Sequence, residues 1–286
     1  MTVESGIEWL ICREPVHIGG ADSSSRGNNN PIFRLPDRTP AIPGSSLRGA
    51  LREHAEQDNS YKDLVKIWFG GQNQELSKDE NDKISPGGIA VSWGWPVWWP
   101  VHVLGYGNWW ISCPAWLQRF QNLAGSEESI NLDNQKVYIT DGTLKNEKSL
   151  YLRWLQLTNI ESYDASLPSL PAPNDVVTNR CIIVPNDSIN LIVDMGLVRQ
   201  PRVSLKDKPD EKDGSLVDNL FAVEGFPPGA VFAINWMVRA NKVEELKLNE
   251  WKSFLRNEHY LGGLWSVGYG RISIEEYQKQ SQEEGA

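Results

Sequence analysis

The sequence predicts an α+β fold in which an antiparallel sheet carries helices on one face. Three observations lead to this class. Strand-like runs lie near the two ends of the chain, at 7–12 and 270–274, and the strongest strand pattern, VFAINWMV, lies at 231–238. Amphipathic helical runs intermix with these strands. The chain contains no internal repeat and no Walker-type phosphate loop.

The elements of the N-terminal part follow from local patterns. A partly alternating strand covers 7–12, and a Gly-, Ser- and Asn-rich stretch without apolar periodicity predicts a loop at 19–31. The first helix starts at Ser45 or Ser46, since either side chain is a good N-cap. A second amphipathic run at 61–69 is followed by a glycine pair, which is typical of a helix end.

Tryptophan is concentrated in the middle of the chain, where seven of the 13 tryptophans lie between Trp93 and Trp116. Aromatic side chains can stack on RNA bases, and one interpretation is therefore an RNA-stacking surface. The alternative is that these side chains fill the core or a subunit interface. We favour the second interpretation, because few basic residues interleave with the cluster and only Arg119 lies close to it.

The C-terminal half is predicted to contain a β-hairpin with a polar tip. Residues 199–206 alternate weakly, 208–214 form a turn rich in charged residues, and 220–223 return as a strand. The remaining elements are a strand-like run at 88–92, a helix with proline in its first turn at 112–120, strands at 137–140, 150–152 and 181–184, a proline-rich linker at 167–173, and a helix at 244–254.

The charge of the chain is unevenly distributed. A formal net charge of −9 over 286 residues counts against a free nucleic-acid-binding protein, because lysine and arginine supply phosphate affinity. Residues 13–52, however, contain six arginines and three acidic residues, whereas acids are concentrated at 75–82, at 207–213 and in the C-terminal tail. An acidic protein with one basic groove fits a subunit that binds RNA inside an assembly.

Other classes of protein are not favoured. No stretch approaches the roughly 20 apolar residues of a membrane span, and the N-terminus lacks the basic start and apolar run of a signal peptide. We therefore expect a cytoplasmic protein with no membrane partner. The three cysteines and four histidines are scattered, without the spacing of a disulfide framework or a zinc site, and we expect no structural metal.

The most informative stretch is 29–52, where an extended segment bounded by prolines leads into IPGSSLRGALR at 42–52. The free N–H groups of a helix start attract phosphate oxygens, which makes this turn a candidate grip for a polyanion backbone. Arg48 and Arg52 are four residues apart and share one helix face. On the local pattern alone, an ordinary capped helix with a solvated arginine face is the simpler interpretation.

Several motifs occur in one collinear order: PVHIGG at 15–20, NNPIFR at 29–34, IPGSSLRGALR at 42–52, and glycines at 262–263 and 268–270. This ordered set resembles the backbone subunit of type III CRISPR–Cas effector complexes, in the RAMP superfamily. The segments that are similar to the Cmr-type (III-B) branch are WPVH at 99–102, CP at 113–114, LQRF at 117–120 and EGFPP at 224–228.

The resemblance implies an RRM-like (ferredoxin-like) core in a single domain over 1–286, with inserted segments at about 70–130 and a protruding hairpin thumb at about 195–225. In the family the thumb intercalates between bases of the guide–target duplex. The implied partners are guide (CRISPR) RNA, target RNA, other copies of the chain and other type III effector subunits. The implied role is to polymerise along the guide RNA and to hold that duplex in antiviral defence.

In the family, the residue implied in the cutting of target RNA is the Asp of an Asp-x-Pro-Ile motif. Asn29 occupies that position in this chain. An aspartate can bind Mg²⁺ through oxygen or accept a proton from a 2′-hydroxyl, whereas asparagine is a weak metal ligand and no useful base. The resemblance therefore implies that this subunit binds RNA without cutting it. Asp22, in the preceding loop, is the candidate substitute for the missing carboxylate.

Two further residues align with family positions near the RNA path. His17 could act as an acid or base, or be a structural histidine at a strand end. Glu224 could help to position RNA, or be a surface charge at the base of the hairpin. His102 stands where the family has arginine, which removes a permanent charge. The residues assigned to RNA binding are Arg34, Ser45, Ser46, Arg48, Arg52, Arg199, Arg202, Gly262 and Gly263.

Three hypotheses about function follow. The first is a guide-RNA-binding backbone subunit, in which arginines and the Ser45-Ser46 turn grip the guide backbone. The second is an active endoribonuclease that uses Mg²⁺ with Asp22 or another carboxylate. The third is a structural or capping subunit that contacts mainly protein, which the tryptophan content and the acidic surface favour.

Overall fold

The computed structural model describes residues 4–19, 29–71, 86–127, 129–144, 147–164, 167–205, 207, 216–239 and 246–278, without the side chains of Asn29, Asp218 and Asn219. The α-helices are α1 (Gly44–Gln57), α2 (Val65–Phe69), α3 (Pro114–Leu123), α4 (Asn186–Gly196) and α5 (Leu248–Leu255). The strands are β1 (Ser5–Cys12), β2 (Asn29–Asn30), β3 (Ile89–Val91), β4 (Trp95–Val103), β5 (Gly107–Ser112), β6 (Val137–Ile139), β7 (Leu150–Leu152), β8 (Leu155–Leu157), β9 (Ile160–Ser162), β10 (Cys181–Ile183), β11 (Val198–Leu205), β12 (Val217–Gly225), β13 (Val231–Val238), β14 (His259–Tyr260) and β15 (Arg271–Glu276).

Six of these elements form a ferredoxin-like core. In chain order they are β1, α1, β4, β13, α5 and β15, which is a βαββαβ sequence. The four strands lie side by side as β15-β1-β13-β4, and each neighbouring pair is antiparallel. Ser5 is opposite Met237, and Cys12 is opposite Ile272. The predicted α+β class with an RRM-like core is confirmed.

The side chains of β1 enter two different hydrophobic cores. Leu10 and Cys12 belong to the core that contains α1, α2 and α5, whereas Trp9 and Ile11 belong to a second core that contains α3. Successive side chains of a strand point to opposite faces of the sheet, so both faces of the central sheet are covered. The prediction of helices on one face is therefore wrong for α3, which closes the second face.

The tryptophan cluster mostly fills these cores, as the favoured interpretation expects. Arg119, the one basic residue near it, stacks its guanidinium over the ring of Trp95 at 4.5 Å. Trp93 is the exposed member of the cluster and stacks on Trp95 with ring centroids 6.0 Å apart. The members that are fully buried are Trp98, Trp99 and Trp109.

Beyond β4 the sheet continues through β5, β10, β6 and β9. Two of these pairs, β5 with β10 and β6 with β9, are parallel, which departs from the wholly antiparallel expectation. Chain connections through the inserted segments let these strands run in the same direction. In the described part of the chain, no helix has both the length and the apolar character that a membrane crossing requires.

The predicted hairpin is present as β11 paired with β12, and β2 adds a third, parallel strand to it. The predicted turn at 208–214 lies outside the described residues. Helix α4, which leads into the hairpin, was not predicted. Its signal is present in the sequence, because Ile189, Ile192 and Val193 recur at helical spacing and are buried.

Two histidines join α1 to the edge strand of the sheet. Nδ1 of His54 lies 3.0 Å from Nδ1 of His259, and Nε2 of His259 lies 3.0 Å from the carbonyl oxygen of Phe254. Since a carbonyl only accepts, neutral His259 carries its proton on Nε2 and accepts at Nδ1 from His54. Burial and then the neighbouring His54 lower the pKa of His259 to about 4. Burial also lowers the pKa of His54.

We expect the free energy of unfolding to fall by about 2 kcal/mol between pH 7 and pH 5 because of His259. The unfolded chain takes up the proton near the ordinary pKa of 6.5, whereas the folded chain takes it up only near 4, so stability is lost as pH falls. Urea unfolding at the two pH values measures this slope. His259→Leu should flatten it, and His102→Gln, at an exposed position, should not. Equal slopes in wild type and His259→Leu would contradict the assignment.

Candidate nucleic-acid interface

Segments that are far apart in the sequence meet beside the base of the hairpin. Single β-bridges join Val16 to Phe226, His17 to Gly263, and Gly19 to Ile32. In the parallel pair of β2 with β12, Asn29 lies opposite Ala222. These backbone pairings bring together the motifs of 15–20, 29–34, 224–228 and 262–263, which the sequence analysis identified separately.

His17 is oriented by the hairpin. Its Nδ1 lies 2.7 Å from the carbonyl oxygen of Glu224, and because a carbonyl only accepts, Nδ1 carries the proton and donates. Nε2 is then the acceptor nitrogen of the neutral ring. A Cβ atom placed on Gly19 would lie 3.6 Å from Nε2, so this nitrogen lies close to Gly19. The hydrogen bond to Glu224 therefore orients the ring with its accepting nitrogen toward Gly19.

Glu224 is a fixed anion rather than a loose surface charge. One carboxylate oxygen accepts from Nε of Arg199 at 3.2 Å, and the other accepts from the main-chain N–H of Ile32 at 3.3 Å. The same residue receives the His17 hydrogen bond at its main-chain carbonyl. Glu224 therefore ties together β11, β12 and the segment after β2.

Asp194, in the last turn of α4, organises three arginines. Its carboxylate accepts from Arg34 and from Arg38, each at 2.5 Å, and its main-chain carbonyl accepts from Arg199 at 2.8 Å. Burial lowers the pKa of Arg34, and the Asp194 carboxylate opposes that shift. Asp194 is near the C-terminal end of α4, where the negative end of the helix dipole stabilises nearby cations. Sequence reasoning missed Asp194 and the role of Arg38 because it missed α4.

We call Arg34, Arg38, Arg199, Asp194 and Glu224 the central cluster. It contains three guanidinium groups and two carboxylates, so it carries a net positive charge. The side chain of Arg34 is 15 % exposed and is committed to Asp194, whereas Arg38 and Arg199 are 57 % and 47 % exposed. Arg38 and Arg199 can therefore reach an outside anion, and Arg34 serves mainly to hold Asp194 in place.

The two arginines of α1 lie elsewhere. Arg48 donates to the carbonyl oxygen of Phe69 and lies over its ring at 5.8 Å, while Arg52 donates to the carbonyl oxygen of Gly70 at 3.2 Å. Arg52 also pairs with Glu56 at 2.8 Å. These carbonyls end α2, where free acceptors attract cations. The interpretation of a solvated arginine face is wrong, and the structure does not bring this pair to Arg34.

The start of α1 also differs from the prediction. The N-cap residue is Pro43, and no side chain caps this helix, so the assignment of Ser45 or Ser46 as N-cap is wrong. Both serines lie in the first turn. The physical reason is packing: a Cβ atom on Gly44 would lie 3.2 Å from the carbonyl oxygen of Ser92, so glycine lets the helix begin against that backbone.

The glycine pair near the C-terminus has a structural role beside His17. Gly262 has φ +82°, and a Cβ atom there would lie 2.1 Å from the carbonyl oxygen of His17. The next residue, Gly263, donates its N–H to that same oxygen at 3.0 Å. Only glycine fits this approach, which seats the C-terminal loop against the site.

Arg202 lies on β11, three residues after Arg199. Side chains alternate between the two faces along a strand, so Arg202 is on the face of the hairpin opposite to Arg199. Burial raises the pKa of the Tyr269 hydroxyl, and the positive charge of Arg202 partly opposes this shift. Among the residues described, no carboxylate pairs with Arg202. Its charge is therefore available on this side of the hairpin.

The described residues do not form a magnesium site. They contain no group of three or more His, Cys, Asp or Glu side chains placed to hold a metal ion, and both carboxylate oxygens of Glu224 already accept hydrogen bonds. Asp22 and the side chain of Asn29 lie outside the described part of the chain.

Comparisons with known proteins give a matching family and several structures of similar fold. The family model of the RAMP superfamily matches residues 9–273. The solved structure of a type III-B Cmr-beta complex in the apo state contains a chain with TM-score 0.71 and 16 % identity, covering 96 % of this chain and 98 % of that one. The same complex bound to cognate target RNA gives 0.71 and 17 %, covering 95 % and 96 %.

A third similar structure is oligomeric Cmr4 from Pyrococcus furiosus, with TM-score 0.66 and 17 % identity, covering 97 % of this chain and 100 % of that one. No curated protein matches the sequence significantly. At these low identities, the three solved structures establish likeness of fold.

We expect Arg48→Met to lower the free energy of unfolding by about 1.5–3 kcal/mol, because the carbonyl of Phe69 loses a charged donor. Urea unfolding measures the change. Lys62→Met is the matched control, since this exposed cation bonds the neighbouring side chain of Asn59, and its loss should change stability little. Unchanged stability of Arg48→Met would mean that the guanidinium is free for a ligand after all.

Proposed function

This chain belongs to the RAMP superfamily, and from that premise we propose that it is a guide-RNA-binding backbone subunit of a type III CRISPR effector complex, of the Cmr type. One observation carries the proposal. Four motifs that align with the family, at 15–20, 29–34, 224–228 and 262–263, converge at the base of one hairpin.

The proposed partners follow from the similar structures. One of them is bound to cognate target RNA, and another is an oligomeric subunit. We accordingly assign to this chain guide RNA, target RNA, further copies of itself and other type III subunits as partners. The role is to polymerise along the guide and to hold the guide–target duplex in antiviral defence, in the cytoplasm.

We assign the phosphate contacts to arginines whose side chains remain at least partly exposed. Arg38 and Arg199 of the central cluster and Arg202 on the opposite face of the hairpin flank the site. Such contacts are independent of sequence, and base pairing within the duplex supplies specificity. Arg48 and Arg52 support the site at a distance by holding the end of α2.

One face of the hairpin suits bases rather than phosphates. Side chains on alternate positions of β11, and their partners on β12, point to the same side as Arg199. Apolar side chains on that face are exposed, although water is a poor solvent for them. We assign this apolar thumb face to the stacked bases of the duplex. Its members are Val203, Leu205, Val217 and Leu220.

We propose that this subunit holds target RNA without cutting it, because Asn29 stands where a slicing subunit has a carboxylate. A second candidate function, an active endoribonuclease, is favoured by one observation: the accepting Nε2 of His17 is suited to take a proton from a 2′-hydroxyl. In that function Asp22, or another carboxylate, with Mg²⁺ would supply the rest of the chemistry. A structural subunit that contacts mainly protein is the third candidate, favoured by the net charge of −9.

We expect Arg202→Gln to weaken binding of single-stranded RNA several-fold and to reduce the slope of log K against log salt by about 0.7, because one phosphate contact is lost. Fluorescence anisotropy over a salt series measures both quantities. Lys136→Gln is the control, since Lys136 pairs with Glu161 near the far edge of the sheet. If Arg202→Gln and Lys136→Gln behave alike, the proposed interface is misplaced.

Cutting is tested on the assembled complex with complementary RNA in a buffer that contains Mg²⁺. Wild type should leave the target intact, and Asn29→Asp, which adds a carboxylate beside β12, should produce regular cuts. Regular cuts in wild type that vanish in Asp22→Ala would establish the endoribonuclease instead. If the chain carries no RNA when it is purified from its host, the structural subunit is favoured.

A further inference from the structure

The loop from Leu261 to Gly270 presents an isolated large aromatic side chain to solvent. Trp265 is 70 % exposed, which is the largest exposed fraction among the large hydrophobic residues described. The neighbouring aromatic of the same loop, Tyr269, is buried. Covering an indole is favourable in free energy, so a tryptophan that is 70 % exposed offers a favourable surface to a flat ligand.

The backbone holds this tryptophan rigidly. Leu264, the residue before it, has φ +69°, a left-handed conformation that is strained for a branched side chain. The N–H groups of Val267 and Tyr269 both bond to the carbonyl oxygen of Leu264, at 3.1 and 3.3 Å. Strained residues persist where the surroundings fix them, and they cluster at ligand sites. Trp265 therefore stands on a turn that is already ordered.

The loop is also fastened at both ends to the strand extension that carries His17. Gly263 donates to the carbonyl oxygen of His17 at 3.0 Å, and Gly270 donates to that of Pro15 at 2.8 Å. Trp265 is thus two residues from the glycine that contacts His17. Because the backbone that carries Trp265 is already ordered, little backbone entropy is lost when the ring takes up a flat ligand.

The chemistry around the ring favours nucleic acid over protein. No charged residue occurs between Leu261 and Gly270, so no carboxylate of the loop repels phosphates. The positive charge of Arg202 opposes the rise in the pKa of Tyr269, at the buried end of the same loop, and no carboxylate among the described residues pairs with Arg202. An exposed π face on a loop that feels this positive charge matches a nucleobase and its phosphate. The other exposed apolar side chain of this loop is the smaller Val267, and a protein partner would need a broader apolar patch than these two side chains.

We propose that Trp265 is a stacking platform for one nucleobase of the RNA held at this site, and this inference rests on the proposed function. Every base has a π face, so the contact is independent of sequence. It complements the phosphate contacts of Arg202 with a contact that salt does not screen. In an assembly of several copies of the chain, each copy would stack one nucleobase on its Trp265.

The test uses the purified chain and a short, unstructured RNA that carries a fluorescein label. Trp265→Leu should weaken binding roughly 5- to 100-fold, the range found when a stacking aromatic is removed. Trp265→Phe should retain most of the affinity, and the slope of log K against log salt should stay unchanged in both variants, because no phosphate contact is lost. The control is Trp154→Leu, at a tryptophan that is 67 % exposed in the turn between β7 and β8, outside the loop from Leu261 to Gly270, and this change should affect binding much less.

A second probe is the same RNA without bases. Wild type should bind this abasic RNA more weakly than intact RNA, and Trp265→Leu should lose much less affinity on removal of the bases. Because Trp265 is exposed, its substitution should leave the unfolding midpoint unchanged, and circular dichroism monitors this.

The outcomes separate the two proposals. If wild type binds RNA and Trp265→Leu binds it equally well, the stacking platform is overturned and the proposed function stands. If Trp265→Leu instead changes self-association in sedimentation velocity without changing RNA affinity, the indole contacts protein and the inference is wrong. If wild type binds no RNA at all, the proposed function fails, and the inference fails with it.

Discussion

The structure depends on the burial of both faces of the central strands. Trp9 of β1 stacks on Phe120 of α3 with ring centroids 4.6 Å apart, and Leu10, one residue further along, packs on the opposite face with no exposed surface. A bare RRM-like sheet could present one face to RNA, but here α3 and the inserted segments cover that face. The chain must therefore form any nucleic-acid interface beyond the strand ends. Residues 15–19, which follow β1, collect the other motifs there.

The hydrogen-bond partners of the arginines explain how an acidic chain can still present a basic site. Arg34, Arg48 and Arg52 are all held by acceptors of the protein: a carboxylate for the first and the carbonyls that end α2 for the others. They position elements and contribute little outward charge. Arg38 and Arg199 also touch Asp194 or Glu224 but keep about half of their side chains exposed. Counting arginines in the N-terminal segment consequently overstates its capacity to bind phosphate.

The base of the hairpin gathers groups from distant parts of the sequence. Nδ1 of His17 donates to the main-chain carbonyl of Glu224, and the backbone of Asn29 lies opposite Ala222, two residues before Glu224. Single β-bridges between distant segments hold this arrangement in place. The apolar thumb face and Trp265 are exposed apolar features of the folded chain. Their side chains offer apolar surface and carry no group that transfers a proton.

The sequence by itself determined the α+β class, the main strands, the hairpin, the set of family motifs and the presence of Asn29, because periodicity and motif identity are local properties. Three features were seen only in the tertiary structure: α4, the N-cap at Pro43 and the coverage of the second sheet face. The structure alone decided which side chains are free. Asp194 meets Arg34 across 160 positions and Glu224 meets His17 across 207, and no local pattern encodes such pairs. Hydrogen-bond partners depend on how distant segments pack, and for that reason the accessible arginines and Trp265 could be identified only in the folded chain.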